Sequence, residues 1–136
     1  MKVFISIKYH ADENNRERIE AIASALEKCG SHTICVVRDI EEWGGRHFEP
    51  AELMRRTFAE IDSSDLVVVD LTEKGVGVGI EAGYAHAKQI PIVVVAKKNA
   101  VISETLSGIS RRTFAYAGLC DLPGLAARIL ECACQN

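Results

Sequence analysis

Asp70 closes the apolar run Leu66-Val67-Val68-Val69, Gly75, Gly77 and Gly79 follow at alternate positions, and Glu81 comes next. Glycines at that spacing let a backbone approach a ligand closely and leave N–H groups exposed. A carboxylate opening the following helix would be kept ionised by the positive end of the helix dipole. Such a group suits a nucleophile or the stabiliser of an oxocarbenium ion better than a general acid. The same residues admit a plainer role, Asp70 capping the loop and Glu81 complementing the dipole. A dinucleotide site fits less well, because the run follows the third strand, lacks Gly-x-Gly-x-x-Gly spacing and sets Glu81 against an incoming phosphate.

The elements that must position these residues alternate along the chain. Residues 3–7 read as a strand and residues 12–29 as a helix, with Ile19, Ile22, Ala23 and Leu26 at helical spacing and Gly30 as C-cap. A short strand at 33–37 leads into a charged loop over 38–49 that carries Trp43. Pro50 then starts a helix running to about residue 62. The β-branched runs at 66–69 and 91–95 have the character of strands buried on both faces of a parallel sheet. Between them lie the glycine turn, 75–79, and a short helix from about 80 to 89. A helical turn at 103–108, an edge strand at 113–117 and a helix over 122–134, capped by Asp121, complete the order. Strand alternating with helix predicts an α/β fold, a doubly wound sandwich whose parallel sheet has about five strands.

Ligands of open parallel sheets bind at the carboxyl ends of the strands. Those ends nominate Ser6, Lys8, Tyr9, Asp39 and Asp70, with Gly75, Gly77 and Gly79, around Glu81. Trp43 is a base-stacking platform or a surface anchor, and Tyr84 bonds the Glu81 carboxylate or packs. His32, His47 and His86 read as bystanders.

With 136 residues, 48% of them hydrophobic and 26% charged, the chain has the makeup of one domain spanning 1–136. The 16 basic against 19 acidic residues, a formal charge of -3, argue against a nucleic-acid partner. The apolar runs fall far short of the ~20 residues a membrane span requires, and the first residues lack the features of a signal peptide. A cytoplasmic protein with no membrane partner is expected. Five cysteines without a Cys-x-x-Cys pair read as reduced structural thiols, and neither a metal nor a cofactor is expected.

The segment from Asp65 through Asp70 and Gly75-Val76-Gly77-Val78-Gly79-Ile80-Glu81-Ala82-Gly83 resembles the defining stretch of the nucleoside 2-deoxyribosyltransferases and their deoxynucleoside 5'-monophosphate N-glycosidase relatives. The resemblance covers roughly residues 60–96 well and the remainder by element order. It implies a flavodoxin-like fold, a nucleoside or nucleotide substrate and cleavage of the C1'–N bond through a glycosyl-enzyme intermediate on Glu81. Asp70, Asp39 or Tyr9 would assist. It also implies a homodimer, since Leu106-Ser107 matches a pair that reaches a neighbouring subunit's phosphate site; Ser107 would work there with Lys97, Lys98 or Arg111. The family's helix aspartate falls at Thr57, its 5'-group side chain at Gly75 and its first-strand tyrosine at Val3. The reading is therefore a nucleoside 5'-monophosphate N-glycosidase, with base transfer or an inactive nucleotide-binding module as alternatives.

A second resemblance is carried by Val3-Phe4-Ile5-Ser6, His10-Ala11-Asp12-Glu13, Arg38-Asp39-Ile40 and Trp43-Gly44-Gly45. These are similar to the opening half of Toll/interleukin-1 receptor domains, which assemble with one another or cleave NAD with a glutamate. That glutamate would again be Glu81.

Overall fold

The computed structural model describes residues 1–12 and 14–135. Glu13, named in the second resemblance, lies outside the described residues. Five strands, β1 (Lys2–Ser6), β2 (His32–Cys35), β3 (Leu66–Asp70), β4 (Ile92–Lys97) and β5 (Arg112–Tyr116), form one all-parallel sheet in the order β2-β1-β3-β4-β5. Five α-helices connect or follow them: α1 (Arg16–Glu27), α2 (Pro50–Asp62), α3 (Val76–Ala87), α4 (Glu104–Ile109) and α5 (Leu122–Glu131). The expected doubly wound α/β sandwich is the observed one.

Strand alternation sorts the side chains into two cores. Val3, Ile5, Val68 and Val93 meet Ile19, Ile22 and Leu26 of α1 and Leu122, Ala126 and Ile129 of α5. Phe4, Val67, Val69 and Val94 face the other way, against Ile61 of α2 and Val78, Ala82 and Ala85 of α3. β3 is buried along its whole length, so both faces of its apolar run are used. At roughly 1.5–3 kcal/mol per fully buried Val or Leu, these central strands supply much of the drive to fold. Among the described residues no helix is long and apolar enough to cross a membrane. The cysteines are free thiols, and burial pushes Cys35 up to about 12.

The structure departs from the sequence reading mainly at element ends. The third helix begins at Val76 rather than near residue 80, and the glycines form no separate turn; the Gly79 N–H already reaches the Gly75 carbonyl at 3.2 Å. Gly in a helix costs about 1 kcal/mol against Ala. Here the packing of Val78, Ala82 and Ala85 on the sheet outweighs that cost. The expected loop after β2 is wound into a π-turn, Val36–Ile40, and a 3₁₀ turn, Glu42–Gly44, in which Glu42, Trp43 and Gly44 all have positive φ. Asp121 does not bond to α5; its carboxylate looks backward and accepts from the N–H groups of Ala117 at 2.8 Å and Gly118 at 3.3 Å.

Candidate active site

α1 leaves β1 toward one face of the sheet, whereas α3 leaves the neighbouring β3 toward the other. The carboxyl ends of these two strands are therefore uncovered, the situation in which doubly wound sheets take ligands. A cavity of about 510 Å³ opens there. Its walls are the exit from β1 (Ile7, Lys8, Tyr9), the turns after β2 (Val36, Val37, Glu41), Leu53 and Met54 of α2, and the start of α3 with Glu81. That volume and its mostly apolar walls suit a small organic ligand.

Glu81 lies in the second turn of α3, beyond the reach of the dipole effect at the helix start. Burial dominates instead and pushes its carboxyl up to about 8, against which the adjacent Ser6 hydroxyl acts weakly. The expectation that the dipole keeps Glu81 ionised is thus overturned: desolvation of the charged form outweighs the remaining helix field. Ser6 is 1% exposed, and Ser6 Oγ and Glu81 Oε2 are both buried with no hydrogen-bond partner among the described residues. A Cβ on residue 77 would stand 4.0 Å from Glu81 Oε1, so glycine there keeps the approach to the carboxyl clear. Gly75 sits closer still to its neighbour, the stem of Lys8, where an added Cβ would be 3.4 Å from Lys8 Cγ.

Lys8, Tyr9, Gly75 and Gly77 are therefore brought together at one mouth with Glu81, and Ser6, the fifth nominated position near it, is buried against the carboxyl. Gly79 turns instead toward a second groove of about 380 Å³ between α3 and α4. Asp70 is not brought there. It faces the α1 and α5 side, 1% exposed, and accepts from the Tyr116 hydroxyl at 2.6 Å and the Thr72 N–H at 2.8 Å. Burial and that bond raise the Tyr116 phenol. Asp39 is exposed and braces the π-turn, accepting from the Cys35 N–H at 2.8 Å and pairing with Arg38. Ser107 is exposed on α4 and lines neither space.

The remaining candidates are occupied elsewhere. Arg111 donates to the Cys132 carbonyl at 2.5 Å, Arg112 lies over the Phe114 ring, and Lys97, the last residue of β4, and Lys98 after it are exposed. The Tyr84 hydroxyl donates to Asp62 at 2.8 Å while its ring stacks on Phe58, so it packs rather than meets Glu81. Trp43 is a surface anchor over the α1 and α5 core, beneath the Arg16 guanidinium at 4.3 Å. Thr57 is buried and donates its hydroxyl to the Leu53 carbonyl at 2.8 Å. His10 pairs with Glu73, which this contact holds below the usual carboxylate range. Sequence reasoning missed Glu41, Leu53, Met54 and Val36. Glu41 belongs to the charged run Arg38-Asp39-Ile40-Glu41-Glu42, and only the π-turn shows which of its carboxylates turns inward.

The fold and site together define a doubly wound domain with a desolvated carboxyl at a small-molecule cavity. No family model matches the chain. Over 129 residues it is 22% identical to a Thermofilum pendens protein provisionally named 2'-deoxynucleoside 5'-phosphate N-hydrolase 1, covering 90% of this chain and 87% of that one. Among solved structures it is similar to a CMP N-glycosidase of Clostridium botulinum, with a TM-score of 0.67, 20% identity and 94% and 99% of the two chains covered. It is also similar to a 2-deoxyribosyltransferase of Bacillus psychrosaccharolyticus, with a TM-score of 0.73, 11% identity and 90% of each chain covered. The resemblance to the nucleoside 2-deoxyribosyltransferases and nucleotide N-glycosidases thus holds beyond residues 60–96, in sequence at low identity and in fold throughout.

The buried carboxyl makes stability depend on pH in a definite sense. In the folded chain Glu81 keeps its proton up to about pH 8, whereas an unfolded glutamate releases it near 4.5. The stability due to the neutral form is complete below the lower value and lost as pH rises through the upper one. Glu81→Gln is neutral throughout, so its stability relative to the parent should grow between about pH 5 and about pH 8 and then level off. Urea unfolding of both proteins across that range measures it. A parent that gains on the variant as pH rises would show Glu81 to be stabilised as the anion.

Proposed function

We propose that this chain is an N-glycosidase that cleaves the C1'–N bond of a nucleoside 5'-monophosphate through a glycosyl ester on Glu81. The observation that carries the reading is a carboxyl with a buried, unpartnered oxygen at a cavity of nucleotide size between β1 and β3. The names of the relatives, an N-hydrolase, an N-glycosidase and a deoxyribosyltransferase, support it.

In the first step a Glu81 carboxylate oxygen bonds to C1' while the C1'–N bond breaks. The electron pair leaves with the base, which takes a proton from water. In the second step water adds to C1', releases a proton, and the ester oxygen returns to Glu81 as carboxylate, following the logic of retaining glycoside cleavage. Once ionised, Glu81 would take a hydrogen bond from the adjacent Ser6 hydroxyl, which has no other partner among the described residues. Asp70 is a positioning residue here, tying the end of β3 to Tyr116 and to the Thr72 turn that leads into α3.

Glu81 has to be ionised to attack, yet burial holds it protonated up to about pH 8 in the free protein. The rate constant kcat/KM should therefore rise about tenfold per pH unit on the acid side and bend near pH 8, because it reports groups of the free enzyme. Glu81→Gln should cost at least about a hundredfold at every pH. Free-base release measured from pH 5 to about 9 tests both. A profile that instead falls above pH 8 would make Glu81 a general acid, and a loss under about tenfold would remove it from the chemistry.

The phosphate is assigned to Lys8 and the open N–H groups of the first turn of α3, beside Gly75. Two or three charge-assisted hydrogen bonds of roughly 1.5 kcal/mol or more each should favour a 5'-monophosphate over its nucleoside by at least about a hundredfold in kcat/KM. A matched pair at fixed ionic strength decides it. Equal values, or base exchange on the bare nucleoside, would indicate a transferase.

A homodimer belongs to the same reading. Ile80 is 46% exposed on α3, next to Gly79 of the α4 groove that includes Leu106, and Val76, 83% exposed, stands at the mouth of the Glu81 cavity. Light scattering should give at least twice 14.9 kDa. A strict monomer that still turns over substrate would rule the dimer out.

A further inference from the structure

The Glu81 cavity contains a second carboxylate that the mechanism leaves unused. Glu41 follows the π-turn after β2 and lines the same space. Its main chain is fixed at three points: its N–H donates to the Val36 carbonyl at 2.9 Å, and its carbonyl accepts from the N–H groups of Gly44 and Arg46, both at 3.0 Å. The residues that line the cavity from the post-β2 turn and from α2 are otherwise apolar: Val36 and Val37 on the turn, Leu53 and Met54 on α2. A flat aromatic ring fits between such walls, and its edge then meets the carboxylate.

We infer that Glu41 reads the base, and that the base it selects is guanine. The inference rests on the nucleotide reading of the cavity. With the sugar's C1' at Glu81 and the phosphate at Lys8 and the start of α3, the base is left with the part of the cavity bounded by α2 and the post-β2 turns. A carboxylate offers two acceptors side by side and no donor. Guanine meets it with two parallel donors, N1–H and the 2-amino group. Adenine and cytosine each set a ring-nitrogen acceptor beside their amino donor, and uracil and thymine flank one N–H with two carbonyls, so each turns at least one lone pair toward a charge. Partial burial raises the Glu41 carboxyl somewhat, opposed by nearby His47. The other charged groups lining the cavity are Lys8 and Glu81.

The test compares GMP, IMP, AMP, CMP and UMP, as ribonucleotides and deoxyribonucleotides, by release of free base from the parent and from Glu41→Gln. IMP is the informative control, being a purine with N1–H but without the 2-amino donor. GMP should exceed IMP at least about tenfold in kcat/KM, the lower end of what a bidentate base contact discriminates. Glutamine offers one acceptor and one donor, so the variant should lose that ratio and shift toward AMP or CMP. A GMP to IMP ratio near one, a ratio unchanged by Glu41→Gln, or a parent that prefers a pyrimidine or AMP would each overturn the assignment. If no nucleotide releases its base, the glycosidase reading falls on its own. Calorimetric binding of GMP against IMP to both proteins then decides the contact: tighter GMP binding that the variant loses upholds it, and equal binding refutes it.

Discussion

Everything around Glu81 depends on keeping an ionisable carboxyl away from water at the point where two neighbouring strands send their helices to opposite faces. β1 and β3 are paired through Phe4–Val67 and Ile5–Val68, yet the chain leaves their carboxyl ends in opposite directions. That divergence leaves a gap no helix covers. α3 closes one side of it by laying Val78, Ala82 and Ala85 on the sheet, and this packing fixes the helix rotation that turns Glu81 to the gap. The price is a desolvated acid and an unpartnered Ser6 hydroxyl in a region otherwise built of fully buried valines. Such arrangements are costly to the fold and characteristic of sites where chemistry is done.

Two opposing effects meet at Glu81, and their magnitudes decide the outcome. The helix dipole favours the anion by about 0.3–1 kcal/mol, and only within the first turn. Removing a carboxylate from water costs several times that unless hydrogen bonds compensate. The Ser6 hydroxyl lies beside the carboxyl but makes no hydrogen bond to it in the free protein, so compensation is incomplete and the proton stays on. A Cβ at 77 would stand in van der Waals contact with the carboxyl, 4.0 Å from Glu81 Oε1, so glycine there leaves that space to a ligand.

The architecture was legible because it is written in hydrophobic periodicity: the β-branched runs became β3 and β4, Pro50 opened α2, and the element order fixed the carboxyl edge. The mouth of the site was legible for the same reason, since Ser6, Lys8 and Tyr9 leave one central strand and Gly75 and Gly77 come after another. Three features were not. The glycine run looked like a turn by composition, whereas Val78, Ala82 and Ala85 pack it as helix. Asp70 ends a strand beside the mouth, but alternation sends its side chain to the opposite face, where only the long-range partner Tyr116 reveals its use. Glu41 and Asp39 stand two apart in one charged run, and the π-turn that turns one inward while the other braces the backbone has no local signature.

Those placements bear on how substrate and proton are coupled. The helix position that would carry an aspartate in the related transferases holds Thr57, whose hydroxyl is committed to the Leu53 carbonyl, so that residue supplies no proton to the site. The free protein instead stores one on Glu81. A substrate that brings positive character to C1' as its base departs is stabilised only by the ionised form, so the stored proton must leave before or during the first step. In the proposed reaction a dianionic phosphate bound at this mouth would push the Glu81 proton back on, and the open N–H groups at the start of α3 would counter it by spreading the phosphate charge away from the carboxyl. For the proposed N-glycosidase reaction, the order of events that best serves catalysis would then be loss of the Glu81 proton to solvent through the open mouth first, and closure of the site by the nucleotide second.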